Sequence, residues 1–343
     1  MPSETTLNAK NLAALGAERL AELLLDVTAG DAAAKRRLRL ELASRGGGDV
    51  ASEIRKRLTS IAKSRSFADW RKVKELASDL KAQREAIAAH VATTSPGEAF
   101  DLLWRMLEMA PSIYERCDDS NGAIGSVIES ARDDLGAIAA EAGQPVAALA
   151  ERVFAAVCAN DYGQFDELIP LTAKALGPEG LNRLKTQFEE LSASAHGGAT
   201  GGELQVIGLS ASGPIYQADY ERGRHARFVR SALTEIADAL GDVDGFAGRY
   251  SDEERASPAI AAAIAKRMLA ADRTSEALPT LDGAAEGFRS GGHWPDWQRV
   301  RIEVLDALGR SSEAQGDRWN CSSGVWRPGI SARTSSGCRI STT

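Results

Sequence analysis

The chain is poor in aromatic residues, in cysteine and in long apolar segments. Aromatic side chains make up 6% of its 343 residues. Its four cysteines, Cys117, Cys158, Cys321 and Cys338, form no Cys-x-x-Cys pair. No apolar run approaches the roughly 20 residues that a membrane-spanning helix requires. These absences argue against a disulfide framework, a zinc ribbon and a membrane-embedded protein.

The sequence also lacks the motifs that carry catalysis or hold a cofactor. Its four histidines, His90, His196, His225 and His293, are isolated from one another and show no zinc-binding spacing. The Gly-rich segment 196–202 has no following Lys-Ser/Thr pair to bind phosphate. No Gly-x-Ser-x-Gly motif surrounds a serine. We therefore expect no cofactor, no metal and no enzymatic activity.

What the chain does have is the composition of an all-α protein. Ala and Leu are abundant, and 43% of the residues are hydrophobic. Apolar residues recur at helical spacing along most of the chain, as in Leu12, Leu15, Leu20, Leu23 and Leu24. The N-terminal MPSETTLNAK has neither the basic nor the apolar part of a signal peptide. The sequence predicts a cytoplasmic, all-α protein.

Two short segments in the last quarter of the chain repeat each other. Residues 268–278 and 305–315 carry Ala, Arg, Ser, Glu and Ala at matching positions. Each segment has the pattern of a helix end, a tight turn and a helix start, followed by a small alanine that permits close helix packing. The repetition predicts an array of helical hairpins of the tetratricopeptide-like α-solenoid type.

The residues between the repeated helices have predicted roles of their own. Asp272 and Gly309 fall where a residue in the left-handed conformation ends a helix. The adjacent hydroxyl residues are candidates for capping the next helix. We expect the matching arginines, Arg273 and Arg310, to bind the carbonyl groups at the end of the preceding helix.

Composition divides the chain into four parts. We predict an N-terminal helical array over residues 1–195, a Gly-rich linker over 196–202 and a tetratricopeptide-like array over 203–319. The stretch 204–215 is the one weakly strand-like part of the sequence. Residues 320–343 form a tail of different composition.

The tail contains no Leu, Lys, Asp or Glu, yet it holds two of the four cysteines and nine Ser or Thr residues. Two interpretations remain open. The tail is either a disordered segment or the product of a reading-frame shift near Asn320. Plausible GC-rich codons from Cys321 onward, read in a shifted frame, give QLWSLAPGHLRAYILRLPDFDD, which has the pattern of an amphipathic helix with an acidic end.

Two polar segments are candidate binding sites. Residues 118–122, DDSNG, do not form a calcium loop, because Cys and Ile stand where the first and last ligands would be. One interpretation is a helix start capped by Asp119 or Ser120. The other is a polar partner-binding site built from Arg116, Asp118, Asp119 and Ser120, since paired carboxylates beside an arginine can bind a cation or a basic side chain.

The second segment, residues 35–84, holds 15 Lys or Arg against 6 Asp or Glu in a chain of net charge −7. One interpretation is an outward-facing basic patch, with Arg36, Arg37, Arg55 and Arg57 as candidate partner-binding residues. The other is that acidic residues elsewhere in the chain neutralise the excess.

A capping box, in which two side chains bind each other's backbone N–H groups, is predicted nearby at 95–98, SPGE.

Several stretches of the sequence together resemble a known family. They are NLAALGAERLAELLLDV, EIRKRLTSIAKSRSFADWRKV, IYERCDDSNGAIGSV and LSASGPIYQADY. The family comprises uncharacterised bacterial helical proteins with a tetratricopeptide-like C-terminal half, and the resemblance covers roughly residues 10–319. It implies an all-α fold and no particular activity. Members end in a helix and an LPDFDD-like terminus, which the shifted frame would restore.

The functional expectation follows from the architecture and the charge. Helical-hairpin arrays present extended surfaces that hold a peptide or a protein. We therefore predict a protein-interaction scaffold with a protein or peptide partner, for which the basic segment favours an acidic one. The alternative is a nucleic-acid-binding protein that uses the basic face of residues 35–84. No membrane association is expected.

The tail generates a first prediction. A variant that carries the shifted-frame ending should be more soluble than this chain, because the end of a helical array needs a covering element with a polar outer side. The measurement is the soluble yield and the melting temperature of both proteins. Equal values would indicate that the present tail is native and harmless, and sequencing of the coding DNA tests the frame itself.

Overall fold

A computed structural model describes residues 6–45, 49–195, 205–210, 213–286 and 294–322, and it confirms the all-α fold class. The described residues form seventeen α-helices, one π-helix and one two-stranded sheet. The chain divides into two compact units, Met1–Gly180 and Leu181–Thr343. The predicted linker, 196–202, and nearly all of the tail lie outside the described residues, so the predicted domain limits stay a prediction.

The first unit is built from short helices in sequence. They are α1 (Ala9–Ala13), α2 (Ala17–Val27), α3 (Ala32–Arg45), α4 (Val50–Lys63), α5 (Trp70–Ala86), the π-helix (Ile87–Val91), α6 (Pro96–Glu108), α7 (Ala110–Tyr114), α8 (Ala123–Ala139) and α9 (Val146–Cys158). Helix α6 lies at the centre, where it packs against α4, the π-helix and α8. Its Phe100, Leu103, Trp104 and Met106 are almost completely buried. Helix α3 packs against both α4 and α5.

The long helix α10 (Leu168–Ala195) is interrupted as the sequence predicts. Gly177 leaves the helical conformation, with φ 56° and ψ −175°, and Pro178 follows it. Glycine adopts a positive φ readily, and proline is well tolerated at the start of a helix but not within one. The pair therefore ends one helix and starts another.

The second unit contains the remaining elements. They are strands β1 (Val206–Ser210) and β2 (Gly213–Tyr216) and helices α11 (Gln217–Leu240), α12 (Val243–Ala247), α13 (Asp252–Arg255), α14 (Pro258–Ala270), α15 (Thr274–Glu286), α16 (Pro295–Ala307) and α17 (Ser311–Ser322). The strands pair in antiparallel fashion, which confirms the strand-like reading of that stretch. Helices α14 and α15 form one hairpin and α16 and α17 another, and α16 packs against the first hairpin. Ala277 and Ala314 are fully buried where the hairpins close.

The repeated turns have the same geometry, as the sequence predicts. Asp272 and Gly309 have φ values of 57° and 72°. The backbone N–H of Arg273 donates to the carbonyl of Met268, and that of Arg310 donates to the carbonyl of Leu305, both at 2.8 Å. These bonds satisfy carbonyl groups that a helix end otherwise leaves unpaired.

The predicted role of the two arginine side chains is wrong. Each guanidinium binds a glutamate three residues on instead of helix carbonyls: Arg273 contacts Glu276 at 2.8 and 2.7 Å, and Arg310 contacts Glu313 at 2.6 and 2.7 Å. A two-point contact with a carboxylate is stronger than a bond to a neutral carbonyl. The contact with Arg273 lowers the pKa of Glu276. The following helices begin at Thr274 and Ser311, so these residues are helical rather than caps.

The paired turns allow a matched test of backbone strain. Replacing Asp272 with Gly should raise the free energy of unfolding by up to about 1 kcal/mol, because an L-residue is strained at positive φ. Replacing Gly309 with Ala should lower it by about 1 kcal/mol, although an added Cβ would meet no atom within 4 Å. Urea unfolding of both variants gives the measurement, and effects of the opposite sign would contradict the assigned geometry.

Candidate functional site

The basic segment of the first unit is organised around a buried carboxylate. Asp79 of α5 is only 1% exposed, and its oxygens accept hydrogen bonds from two arginines on two other helices. Arg36 of α3 donates through Nε and Nη2 at 3.3 and 2.9 Å. Arg57 of α4 donates through the same two nitrogens, with Nε at 2.7 Å. The buried Gln83, one helical turn after Asp79, adds a bond at 3.2 Å.

This cluster is polar and yet lies among buried groups. Burying a carboxylate is unfavourable unless charged donors surround it. Two guanidinium groups meet that requirement here and leave one positive charge in excess. Both use Nε and Nη2 for Asp79, so that Nη1 of each is not engaged by this carboxylate. The side chains of Arg36 and Arg57 are 30% and 31% exposed. Each therefore extends from the buried Asp79 to the protein surface.

An open pocket of about 310 Å³ lies over the cluster. We call it the basic pocket. It is lined by four cations and by four other residues: Arg36, Arg39, Leu40, Glu53, Lys56, Arg57, Ser60 and Gln83. Lys56 contacts Glu53 at 2.7 Å, and both side chains are largely exposed. Arg39 is exposed and forms no ion pair with any residue that the structure describes.

The other two predicted arginines, Arg37 and Arg55, form ion pairs with glutamates outside this cluster. Arg37 lies 3.4 Å from Glu85 of α5. Arg55 forms an ion pair with Glu98 in the first turn of α6. The predicted capping box at 95–98 is therefore wrong: the Ser95 side chain makes no capping bond, and Glu98 is held by a guanidinium instead. The guanidinium of Arg55 carries a full positive charge, so it competes with the backbone N–H for the Glu98 carboxylate.

The four predicted arginines thus do not form one free patch. Arg36 and Arg57 are brought together at Asp79, whereas Arg37 and Arg55 each pair with another glutamate. All four are engaged within the chain, but only Arg37 and Arg55 pair with acids from outside residues 35–84, because Asp79 belongs to the basic segment itself. Their partner-binding role stays a prediction.

Sequence reasoning missed the residues that complete the pocket. Asp79 and Gln83 lie on the inward face of α5 with Val73 and Leu80. Helical spacing alone places this acid among inward-facing apolar residues. Such a buried acid needs a cationic partner, so the pattern could have predicted a buried ion pair. Arg39 carried no signal, because nothing in the sequence distinguishes it from its basic neighbours.

The polar loop before α8 has a structural arrangement. Asp119 accepts hydrogen bonds from the backbone N–H groups of Ile124 and Gly125 at 2.8 and 2.9 Å, which confirms a capping role. Asp118 accepts a bond from the backbone of Ser120 at 3.3 Å.

The arginine of this loop is turned elsewhere. Arg116 donates to the carbonyl of Ile61 in α4 at 2.9 Å. Nearby, burial raises the pKa of Tyr114 to about 12, and the charges of Asp119 and Glu129 add to the shift. The loop residues are thus used by the fold, and their predicted partner-binding role stays untested.

Two further kinds of site are absent from the part of the chain that the structure describes. Over the described ranges, no three His, Cys, Asp or Glu side chains converge as metal ligands would. None of the helices described combines the length and the apolar character needed to cross a membrane.

The central ion cluster generates a stability prediction. Replacing Asp79 with Ala should lower the free energy of unfolding by about 3 kcal/mol, because two partly buried arginines lose their counter-charge. The matched control is Glu98→Gln, which breaks the more exposed Arg55 pair and should cost less than about 1 kcal/mol. Urea unfolding gives both values. Equal effects of the two substitutions would contradict a special role for the buried carboxylate.

Comparison with known proteins places the chain in a family. No curated protein and no solved structure matches it significantly. The model of a family described as "Family of unknown function (DUF6880)" matches residues 2–327, nearly the whole chain. This confirms the resemblance to a family without an assigned activity. The protein belongs to the family of unknown function DUF6880.

Proposed function

We propose that this protein is an interaction scaffold whose first unit holds an acidic protein partner on the surface formed by α3 and α4. The observation that carries the proposal is the basic pocket, in which a buried carboxylate fixes two arginines beside further cations. Fixed arginines lose little side-chain entropy when a partner binds, and such preorganisation increases affinity.

Exposed cations on α3 and α4 continue this surface from the pocket to Lys35 and Lys63. Lys35 and Arg39 are four residues apart on α3, and Lys56 and Lys63 are seven residues apart on α4, so each pair shares a helix face. Among the described residues, Lys35, Arg39 and Lys63 form no ion pair, and all three are exposed. An acidic partner would therefore gain charge contacts without breaking contacts of the fold.

The second unit supports the scaffold part of the proposal. Its two consecutive hairpins pack against each other, as α14, α15 and α16 show. Arrays of such hairpins bind peptides on extended surfaces. We propose that this unit is a tetratricopeptide-like array and that the protein acts in a bacterial cytoplasm.

Nucleic-acid binding remains the alternative function, and the experiment must distinguish it from the binding of an acidic protein. Protein–DNA affinity comes largely from many phosphate contacts and falls steeply with salt. The net charge of −7 opposes a long polyanion, whereas a short acidic segment can reach one local surface.

A matched pair of charge reversals tests the proposal. The binding variant carries Arg39→Glu and Lys63→Glu, and the control carries Lys72→Glu and Lys74→Glu on α5. These four residues are exposed and form no ion pair with described residues, so both variants should remain folded. The probe is a fluorescent Glu-rich peptide, and the measurement is its anisotropy with the full-length protein at low and moderate salt.

We expect the binding variant to lose at least about tenfold in affinity for the peptide, an effect of about 1.4 kcal/mol, and the control to lose much less. Equal losses in the two variants would overturn the proposed surface. Tighter binding of duplex DNA than of the peptide at the same salt would favour the nucleic-acid alternative.

A further inference from the structure

The basic pocket carries a charge pattern more specific than a general attraction to acids. Its lining contains Arg36, Arg39, Lys56 and Arg57, and the opposing charges are Glu53 in the lining and Asp79 beneath it. Four cations against two carboxylates leave two positive charges in excess around one concavity.

We propose that the basic pocket is a binding site for a phosphate monoester, presented as a phosphorylated side chain of the partner; this inference rests on the proposed function. A phosphorylated Ser, Thr or Tyr carries a charge of about −1.5 to −2 at neutral pH and three acceptor oxygens. That charge matches the local excess of two, whereas a single carboxylate would neutralise only half of it.

The donors of the pocket are of the kind that phosphate requires. Guanidinium groups bind phosphate oxygens through parallel N–H donors. The contacts with Asp79 leave Nη1 of Arg36 and of Arg57 outside the ion cluster, and Arg39 has no ion pair among the described residues. The Ser60 hydroxyl, one turn after Lys56, adds a neutral donor to the lining.

The pocket is also built to keep its shape. Asp79 and Gln83 are each 1% exposed, and their hydrogen bonds fix the floor on which the two arginines rest. The volume of about 310 Å³ greatly exceeds the roughly 15 Å³ that a cavity needs to hold one water molecule, so a phosphate group and part of its side chain have room. A nucleic-acid phosphate fits less well, because a diester carries one negative charge and is flanked by further charges.

The test compares three peptides of the same neutral sequence that differ at one position: Ser, Glu or phosphoserine. Binding to the full-length protein is measured by fluorescence anisotropy, with inorganic phosphate as a competitor and duplex DNA as a separate probe. The variant is Arg39→Gln, which removes a cation without breaking an ion pair of the described structure. The matched control is Lys72→Gln, at an exposed cation that does not line the pocket.

We expect the phosphoserine peptide to bind at least about tenfold more tightly than the Glu peptide and inorganic phosphate to displace it. Arg39→Gln should weaken phosphoserine binding roughly tenfold at an unchanged melting temperature, and Lys72→Gln should leave it nearly unchanged. This pattern would support the phosphate site.

Other outcomes overturn the inference in distinguishable ways. Equal affinity for the Glu and phosphoserine peptides would refute the phosphate site and leave the proposed acidic-partner surface standing. Equal effects of Arg39→Gln and Lys72→Gln would show that the phosphate binds outside the pocket. Failure of both acidic peptides to bind would remove the inference together with the proposed function, and preferential binding of DNA would replace it by recognition of a phosphodiester backbone.

Discussion

The candidate site depends on one contact, the one between the buried carboxylate of Asp79 and two arginines. A carboxylate among buried side chains must be surrounded by donors, and here α3 and α4 each supply one arginine. One acid therefore fixes the relative positions of three helices and the orientation of Arg36 and Arg57. Because two cations meet one anion, the cluster stays positive. Together with Arg39 and Lys56 at the surface, these two arginines line a pocket in which positive charge is in excess.

The second unit uses arginine–carboxylate contacts in a different way. Arg301 of α16 is largely buried, with Asp282 of α15 on one side and Asp317 of α17 on the other. Burial raises the pKa of Asp317, and the contact with Arg301 opposes that shift. Here two acids meet one cation, so the contact ties neighbouring hairpins together without leaving positive charge over.

The elements of the fold could be predicted from the sequence because their causes are local. Helical spacing of apolar residues, the glycine at Gly177 and the repeated turns at Asp272 and Gly309 each act within a few residues of the chain. The structure places helix ends and the hairpin strands where those signals lie. The family resemblance agrees with the match over residues 2–327.

The candidate site was only partly predictable, because its contacts are not local. Arg36 and Asp79 are 43 residues apart, and Arg57 and Asp79 are 22 apart. Charge counting located the basic segment, but it gives no rule for which acid each arginine meets. The capping box at 95–98 failed for the same reason, since Arg55, which takes Glu98, is 43 residues away.

A double-mutant cycle between Asp79 and Arg57 tests most directly whether one buried contact organises this part of the chain. Asp79→Asn, Arg57→Gln and the double variant are compared with the wild type by urea unfolding. We expect a coupling free energy above about 1 kcal/mol, because contacting charged residues are strongly non-additive. A coupling near zero would mean that the two side chains act independently, and it would contradict the central place given to Asp79.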